Sequence, residues 1–320
     1  MSHELEQMAY ANTGAMPWHG LGNTIDPDAS IGDWQTAAGL DWSVGKRPVR
    51  FTGECVPGAN NGIHTFKDKF VLVRDTDNRP FSVVSGRYKP VQPSEVLEFF
   101  RDLIATHGMT IETAGSLKEG KRIWALAKTG DAHKVLGNDL VNSYLLIATS
   151  YDLTFSTLAQ FTSVRVVCNN TLQQSLNDYI SRVSIPHFKD FNASQVHESL
   201  GLGRSQWGAF SQALDAIAKI KLSVGDAGRI MADVLKIPDD ADIPSANRHH
   251  LMPIMRLFNG AAIGSDVVGQ TGWGLVNAVT EYVDHRKRAR SQSNRLDNAW
   301  FGEAANLKDA AFQKVLELTA

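Results

Sequence analysis

Three runs between Lys121 and Phe161 constrain the fold of this chain more than any other stretch. Lys121–Lys128, Ser143–Ser150 and Thr154–Phe161 are each eight residues long, and turn chemistry separates them. That is strand length, and the residue content suits a pleated surface. The last two runs meet around Tyr151-Asp152, so they predict an antiparallel pair. Lys121–Lys128 also returns on the run Met109–Gly115 through a turn at Lys118-Glu-Gly120.

Helical patterns flank this block. Val96, Leu97, Phe99, Phe100, Leu103 and Ile104 form a stripe that predicts a helix over 94–107, capped by Ser94 and stopped by Gly108. Before it, a short helix over 33–38 is expected, with short strands at 40–44, 48–51, 69–74 and 81–84. After it, helical periodicity dominates: 194–222 with breaks at Gly201–Gly203 and Gly208, then 226–235, 275–290 and 309–318. Gly269-Gln-Thr-Gly-Trp-Gly274 follows no strand pattern and is read as a turn, not a nucleotide-binding loop. The fold class is therefore α+β. An α+β core is expected over residues 1–185, with a mainly helical region over 186–320 packing on it.

The run Phe161-Thr-Ser-Val-Arg-Val-Val-Cys-Asn-Asn-Thr-Leu172 is the most suggestive functional stretch. Read as a helix over 164–179, it stacks Val164, Val167, Cys168, Leu172, Leu176 and Tyr179 on one face. The opposite face then carries Arg165, Asn169, Asn170, Gln173, Gln174 and Asn177, a surface of donors suited to phosphate, sugar or base edges. A second surface comes from strand 121–128. Alternation places Arg122, Trp124, Leu126 and Lys128 together, a basic and aromatic face of the kind that holds single strands.

Charge limits these readings. A net charge of −2 argues against indiscriminate polyanion binding. The cations are nonetheless clustered, with Lys118, Lys121, Arg122 and Lys128 around one hairpin and Arg286, Lys287, Arg288, Arg290 and Arg295 near the end. Cys55 and Cys168 lack metal-ligand spacing, which predicts reduced thiols and no zinc. No signal peptide or membrane-spanning run is visible, so a cytoplasmic location without membrane association is expected. His19 stands beside glycines without partners. Asn277, Glu281, Asp284 and His285 can share a helix face, which admits divalent-ion or acid–base chemistry but also describes an interhelical polar cluster.

The motifs Trp18-His-Gly-Leu-Gly22, Gly86-Arg-Tyr-Lys-Pro-Val91, Arg165–Leu172, Trp273-Gly-Leu-Val-Asn277 and Glu281-Tyr-Val-Asp-His285 resemble those of an uncharacterised phage/plasmid-like protein family. That resemblance runs through most of the chain and implies a mobile element in a bacterial host. More distantly, the order of helix, hairpin, strands and helix over 94–179 is similar to single-strand annealing recombinases. This implies an antiparallel curved sheet with crossing helices, a basic groove for DNA and a homo-oligomer. The chain departs from that pattern where amides Asn169, Asn170, Gln173 and Gln174 replace a Lys/Arg pair.

The leading expectation is a phage-encoded protein that binds and anneals single-stranded DNA in recombination or replication without a cofactor. Lys118, Lys121, Arg122, Lys128 and Arg165 would hold phosphates, and Asn169, Asn170 and Gln173 would position the strand. One alternative is a non-catalytic protein that binds a host factor through the amide face. Another is a metal-dependent nucleic-acid enzyme using Glu281, Asp284 and His285.

Overall fold

Arg122, Trp124 and Leu126 lie on one side of their strand and Ile123, Ala125 and Ala127 on the other, and all six are buried. A sheet with both faces apolar must be covered on both, and it is. The computed structural model describes residues 5–12, 22–53, 62–165, 170–173, 182–200, 204–238 and 247–319.

The first half runs β1 (Leu5–Ala11), β2 (Asn23–Ile25), α1 (Ile31–Ala37), β3 (Val44–Thr52), β4 (Ile63–Arg74), β5 (Pro80–Ser85), α2 (Pro93–Glu98) and α3 (Arg101–His107). The central strands are β6 (Thr110–Leu117), β7 (Arg122–Lys134), β8 (Leu140–Ser150) and β9 (Thr157–Arg165), followed by β10 (Asn170–Gln173) and β11 (Arg182–Ile185). Helices complete the chain: α4 (Ala193–Leu200), α5 (Arg204–Lys219), α6 (Val224–Val234), α7 (Arg248–Arg256), α8 (Ser265–Val268), α9 (Gly272–Glu281), α10 (Gln292–Phe301) and α11 (Glu303–Leu316). π-helical turns follow α7 at Leu257–Ala261 and α9 at Tyr282–Arg286.

The main sheet has the order β10-β9-β8-β7-β6-β1-β2, with β11 also paired to β9. All its pairings are antiparallel except β1 with β2. A smaller sheet, β3-β4-β5, stands beside it. The architecture is thus mixed α+β, as the alternation predicts.

Two cores follow from the two faces. Trp124, Leu126, Tyr144, Leu146 and Leu158 pack under Phe210, Ile217, Met231, Val276 and Phe312, the apolar stripes of α5, α6, α9 and α11. Ile123, Ala125, Leu145, Ile147 and Ala159 pack instead with Trp34, Leu97, Leu103 and Leu72 from α1, α2, α3 and β4. Each large side chain buried this way contributes about 1.5–3 kcal/mol. The helices after residue 186 do not share one side, since Val196 and Leu200 of α4 join the second core.

Several local expectations need correction. The helix predicted over 164–179 is not formed where the chain is described: β9 continues to Arg165, and Asn170–Gln173 returns as β10, with Asn170 opposite Arg165 and Gln173 opposite Thr162. Strand pairing on an existing sheet overrides a three- and four-residue spacing that a short run satisfies by chance. Residues 166–169 and 174–181 lie outside the described residues, as do His19 and Cys55. The helix over 94–107 is two helices broken after Glu98, and Gln92, not Ser94, forms the N-terminal capping box with Glu95. Gly108, at φ 64°, ends α3 as expected. Gly208 does not interrupt α5.

The glycines at 272–274 serve packing. Thr271 caps α9 by accepting the Gly274 N–H at 3.0 Å, and a Cβ on Gly272 would lie 2.6 Å from the Ile217 carbonyl oxygen. Trp273 donates its indole N–H to the buried Asp139 at 2.7 Å.

The segment from β11 through α4 is held by two imidazoles. His187 stacks on Tyr88 at 4.7 Å and His197 lies against Phe99 at 4.5 Å. His187 Nδ1 and His197 Nε2 are buried and have no hydrogen-bond partner among the described residues. Burial holds both rings below the usual imidazole pKa, opposed for His187 by its bond to the Phe155 carbonyl and for His197 mainly by a backbone bond at Phe99. The unfolded chain therefore takes up protons first as pH falls below about 6.5. Stability should be level above that pH and decline below it, and His187→Gln with His197→Gln should flatten the decline in thermal melts between pH 8 and pH 5.

Candidate nucleic-acid interface

β3 and β4 build an arm whose base is buried and whose tip is exposed. They pair from Val44 opposite Arg74 to Pro48 opposite Phe70, then again from Arg50 opposite Thr65 to Thr52 opposite Ile63. Between these registers β4 carries extra residues, and Asp68 takes the left-handed φ of 57°. Such a bulge bends and twists the ribbon. At the base Val44, Leu72 and Val84 enter the second core. Lys46 donates to the carbonyls of Gly86 and Tyr88 at 2.9 and 3.0 Å, and Arg74 lies over Trp42 while pairing with Asp77 at 2.7 Å. The Arg74 hydrogen bond holds the Asp77 carboxyl well below the usual range.

Beyond the bulge no described residue covers the apolar side chains. Phe51 is 52% exposed, Phe66 52% and Ile63 69%, and Phe51 leans on His64 with ring centres 5.4 Å apart. Arg47, Arg50, Lys67 and Lys69 are exposed around them and make no ion pair among the described residues. Asp68 is the only acid among the described residues 44–53 and 62–74. Exposed rings among exposed cations are the chemistry that stacks bases and holds a phosphate backbone. The sequence carries this signal as Arg50-Phe51 and Phe66-Lys-Asp-Lys69. A search for apolar alternation passes over it, because the run His64–Lys69 is exposed on both faces.

The residues singled out from sequence are placed differently. Arg122 is 7% exposed, its guanidinium bound to Asp152, Asp297 and Thr154. Lys118 pairs with Asp297 at 2.9 Å. Lys121 is half-buried beside that turn, and Lys128 is half-buried near Glu112, whose carboxyl burial pushes up despite the bond it accepts from Tyr144 at 2.8 Å. Trp124 is core, edge-on to Trp300 at 4.8 Å. The 121–128 face thus looks into the helical layer. Arg165 ends β9, Asn170 and Gln173 lie in β10, and Asn169 lies outside the described residues.

Of the set in α9 and the π turn after it, Glu281, Asp284 and Asn277 are likewise engaged within the fold. Glu281 accepts the Ile263 N–H at 2.7 Å and pairs with Arg286 at 2.9 Å. Asp284 pairs with Lys308 at 2.8 Å, and Asn277 donates to the Trp273 carbonyl. No group of three His, Cys, Asp or Glu able to hold a metal occurs among the described residues. Nor is any described helix long and apolar enough to cross a membrane.

The molecule is thus an α+β protein whose sheet is enclosed on both faces and whose exposed basic arm stands outside it. The model of a domain of unknown function, DUF932, matches residues 80–300, and the chain belongs to that family. No curated protein and no solved structure matches it. The arm lies N-terminal to the matched region.

Proposed function

We propose that this is a phage-type single-stranded-DNA-binding protein of the annealing kind, acting as a homo-oligomer in the bacterial cytoplasm, with the β3–β4 arm as its DNA contact. The observation that carries the reading is the tip, where Phe51 and Phe66 are half exposed amid Arg47, Arg50, Lys67 and Lys69. Rings offer stacking without sequence preference, while cations add salt-dependent affinity. A chain of net charge −2 can bind DNA this way because its positive charge is local.

Fluorescence anisotropy with a labelled single-stranded oligonucleotide across a salt series tests it. Affinity is expected to fall steeply with salt. Arg50→Gln, Lys67→Gln and Lys69→Gln together should lower the log–log slope by about 2. Phe51→Ala with Phe66→Ala should weaken binding by about 1–3 kcal/mol per stacked base without changing the slope. Lys121→Ala should change neither. Salt-independent binding, or binding indifferent to all arm substitutions, would sink the proposal; annealing of complementary strands by the wild type and not by the arm variants would support its finer part.

A further inference from the structure

A second cationic feature lies far along the chain, in the helical layer. The end of α6, the start of α7, the residue after the second π turn and the outer side of α11 enclose a cleft of about 400 Å³ lined by Leu235, Lys236, Asn247, His250, Lys287 and Leu307, among others. We propose that this cleft binds a small phosphate-bearing molecule of nucleoside-monophosphate size, with Lys236 and Lys287 on the phosphate and the apolar wall against the remainder.

Lys236 is the residue that argues for a ligand. It follows the C-cap of α6 with φ 52°, and the Lys236 and Ile237 N–H groups bond back to the carbonyls of Asp233 and Ala232 at 2.9 Å each. This is the helix-ending turn at which glycine is the usual residue, because a side chain there is strained. A lysine held in that conformation keeps a cationic residue in the cleft lining at a cost of about 1 kcal/mol.

Neither Lys236 nor Lys287 makes an ion pair among the described residues, and Glu303 is the carboxylate among the described residues of the lining. His250 donates to or accepts from the Tyr282 hydroxyl at 2.6 Å, and its ring lies tilted against His249 with centres 3.8 Å apart. Burial lowers its pKa first, and the nearby His249 and Lys287 lower it further. Asn247 is anchored to the Leu235 carbonyl at 2.9 Å, which ties the two sides of the cleft together. Ammonium groups beside an imidazole and an apolar wall match a phosphate attached to a flat, weakly polar body.

Isothermal titration calorimetry of the full chain with adenosine monophosphate, and separately with inorganic phosphate, tests the site. One saturable event with the nucleotide is expected, competed by phosphate and weakened about tenfold or more by Lys236→Gly or by Lys287→Gln. Lys236→Gly gives a second readout, since glycine is free of strain at that φ: its melting temperature should not fall although its affinity does. No saturable heat with the nucleotide, or heat unchanged in both variants, overturns the proposal. So does heat lost in the Arg50/Lys67/Lys69 variant, which would place the nucleotide on the arm. Because the cleft and the arm share no residue, failure here leaves the DNA-binding reading standing, and the reverse holds too.

Discussion

Replacing Arg122 by Ala should cost about 3–5 kcal/mol of folding stability, read as a fall in the urea midpoint. The guanidinium is 7% exposed, bonds Asp152 at 3.2 Å and Thr154 at 2.8 Å, pairs with Asp297 of α10, and lies over the Phe155 ring. Removing it leaves Asp297, itself 8% exposed, with only the Lys118 ammonium for compensation. A buried carboxylate stripped of its guanidinium partner is the larger part of the loss. Arg122→Lys should recover only part of it, since one ammonium cannot reach three partners spread around a planar fork. Domain stabilities run to about 5–15 kcal/mol, so Arg122→Ala should leave the fold marginal at 37 °C. Under conditions where the variant is folded, its DNA-binding salt slope should match the wild type's, separating an architectural arginine from a phosphate contact.

The second large effect is expected at Lys308. Its ammonium and the Asp284 carboxylate are 2.8 Å apart, with side chains 3% and 5% exposed. Burial pulls the lysine pKa down while Asp284 holds it up. Lys308→Met should cost about 3–5 kcal/mol by removing the carboxylate's buried counter-charge, and Asp284→Leu a similar amount by removing the ammonium's. The double variant should recover most of either loss, because two apolar side chains suit the same space without desolvating charge. A double-mutant cycle in urea measures this directly. Additive losses would mean that the pair is not coupled in folding.

Both charge pairs lie where sequence reasoning looked for chemistry, at Arg122 and at Asp284. Alternation through 121–128 correctly separated Arg122, Trp124, Leu126 and Lys128 from Ile123, Ala125 and Ala127, but alternation states which residues share a face and not what covers it. The covering helices, α5 through α11, are distant in sequence. Strands β7, β8 and β9 were legible because each run has strand length and carries apolar residues on both faces. β10 was not, because Val164, Val167 and Leu172 satisfy helical spacing while Val164, Val166, Val167 and Thr171 equally satisfy strand content. The arm was legible only in fragments. Pro48 divided β3 into two apparent pieces, and the exposed polar run His64–Lys69 hid the outer half of β4.

The outer border of β9 is fully taken: β10 pairs residues 162–165 and β11 pairs residues 157–160. At the opposite border β2 is three residues long, and in the small sheet β3 brings Pro48, Arg47 and Arg50 to its open side. Short strands, prolines and cations are the devices that stop one sheet from growing onto another. Among the described residues, these three borders therefore resist strand addition, and the uncharged border left open is β5, which begins on Pro80. Copies that meet at a guarded border must join through side chains, and a contact of that kind can come apart and re-form without unzipping a sheet.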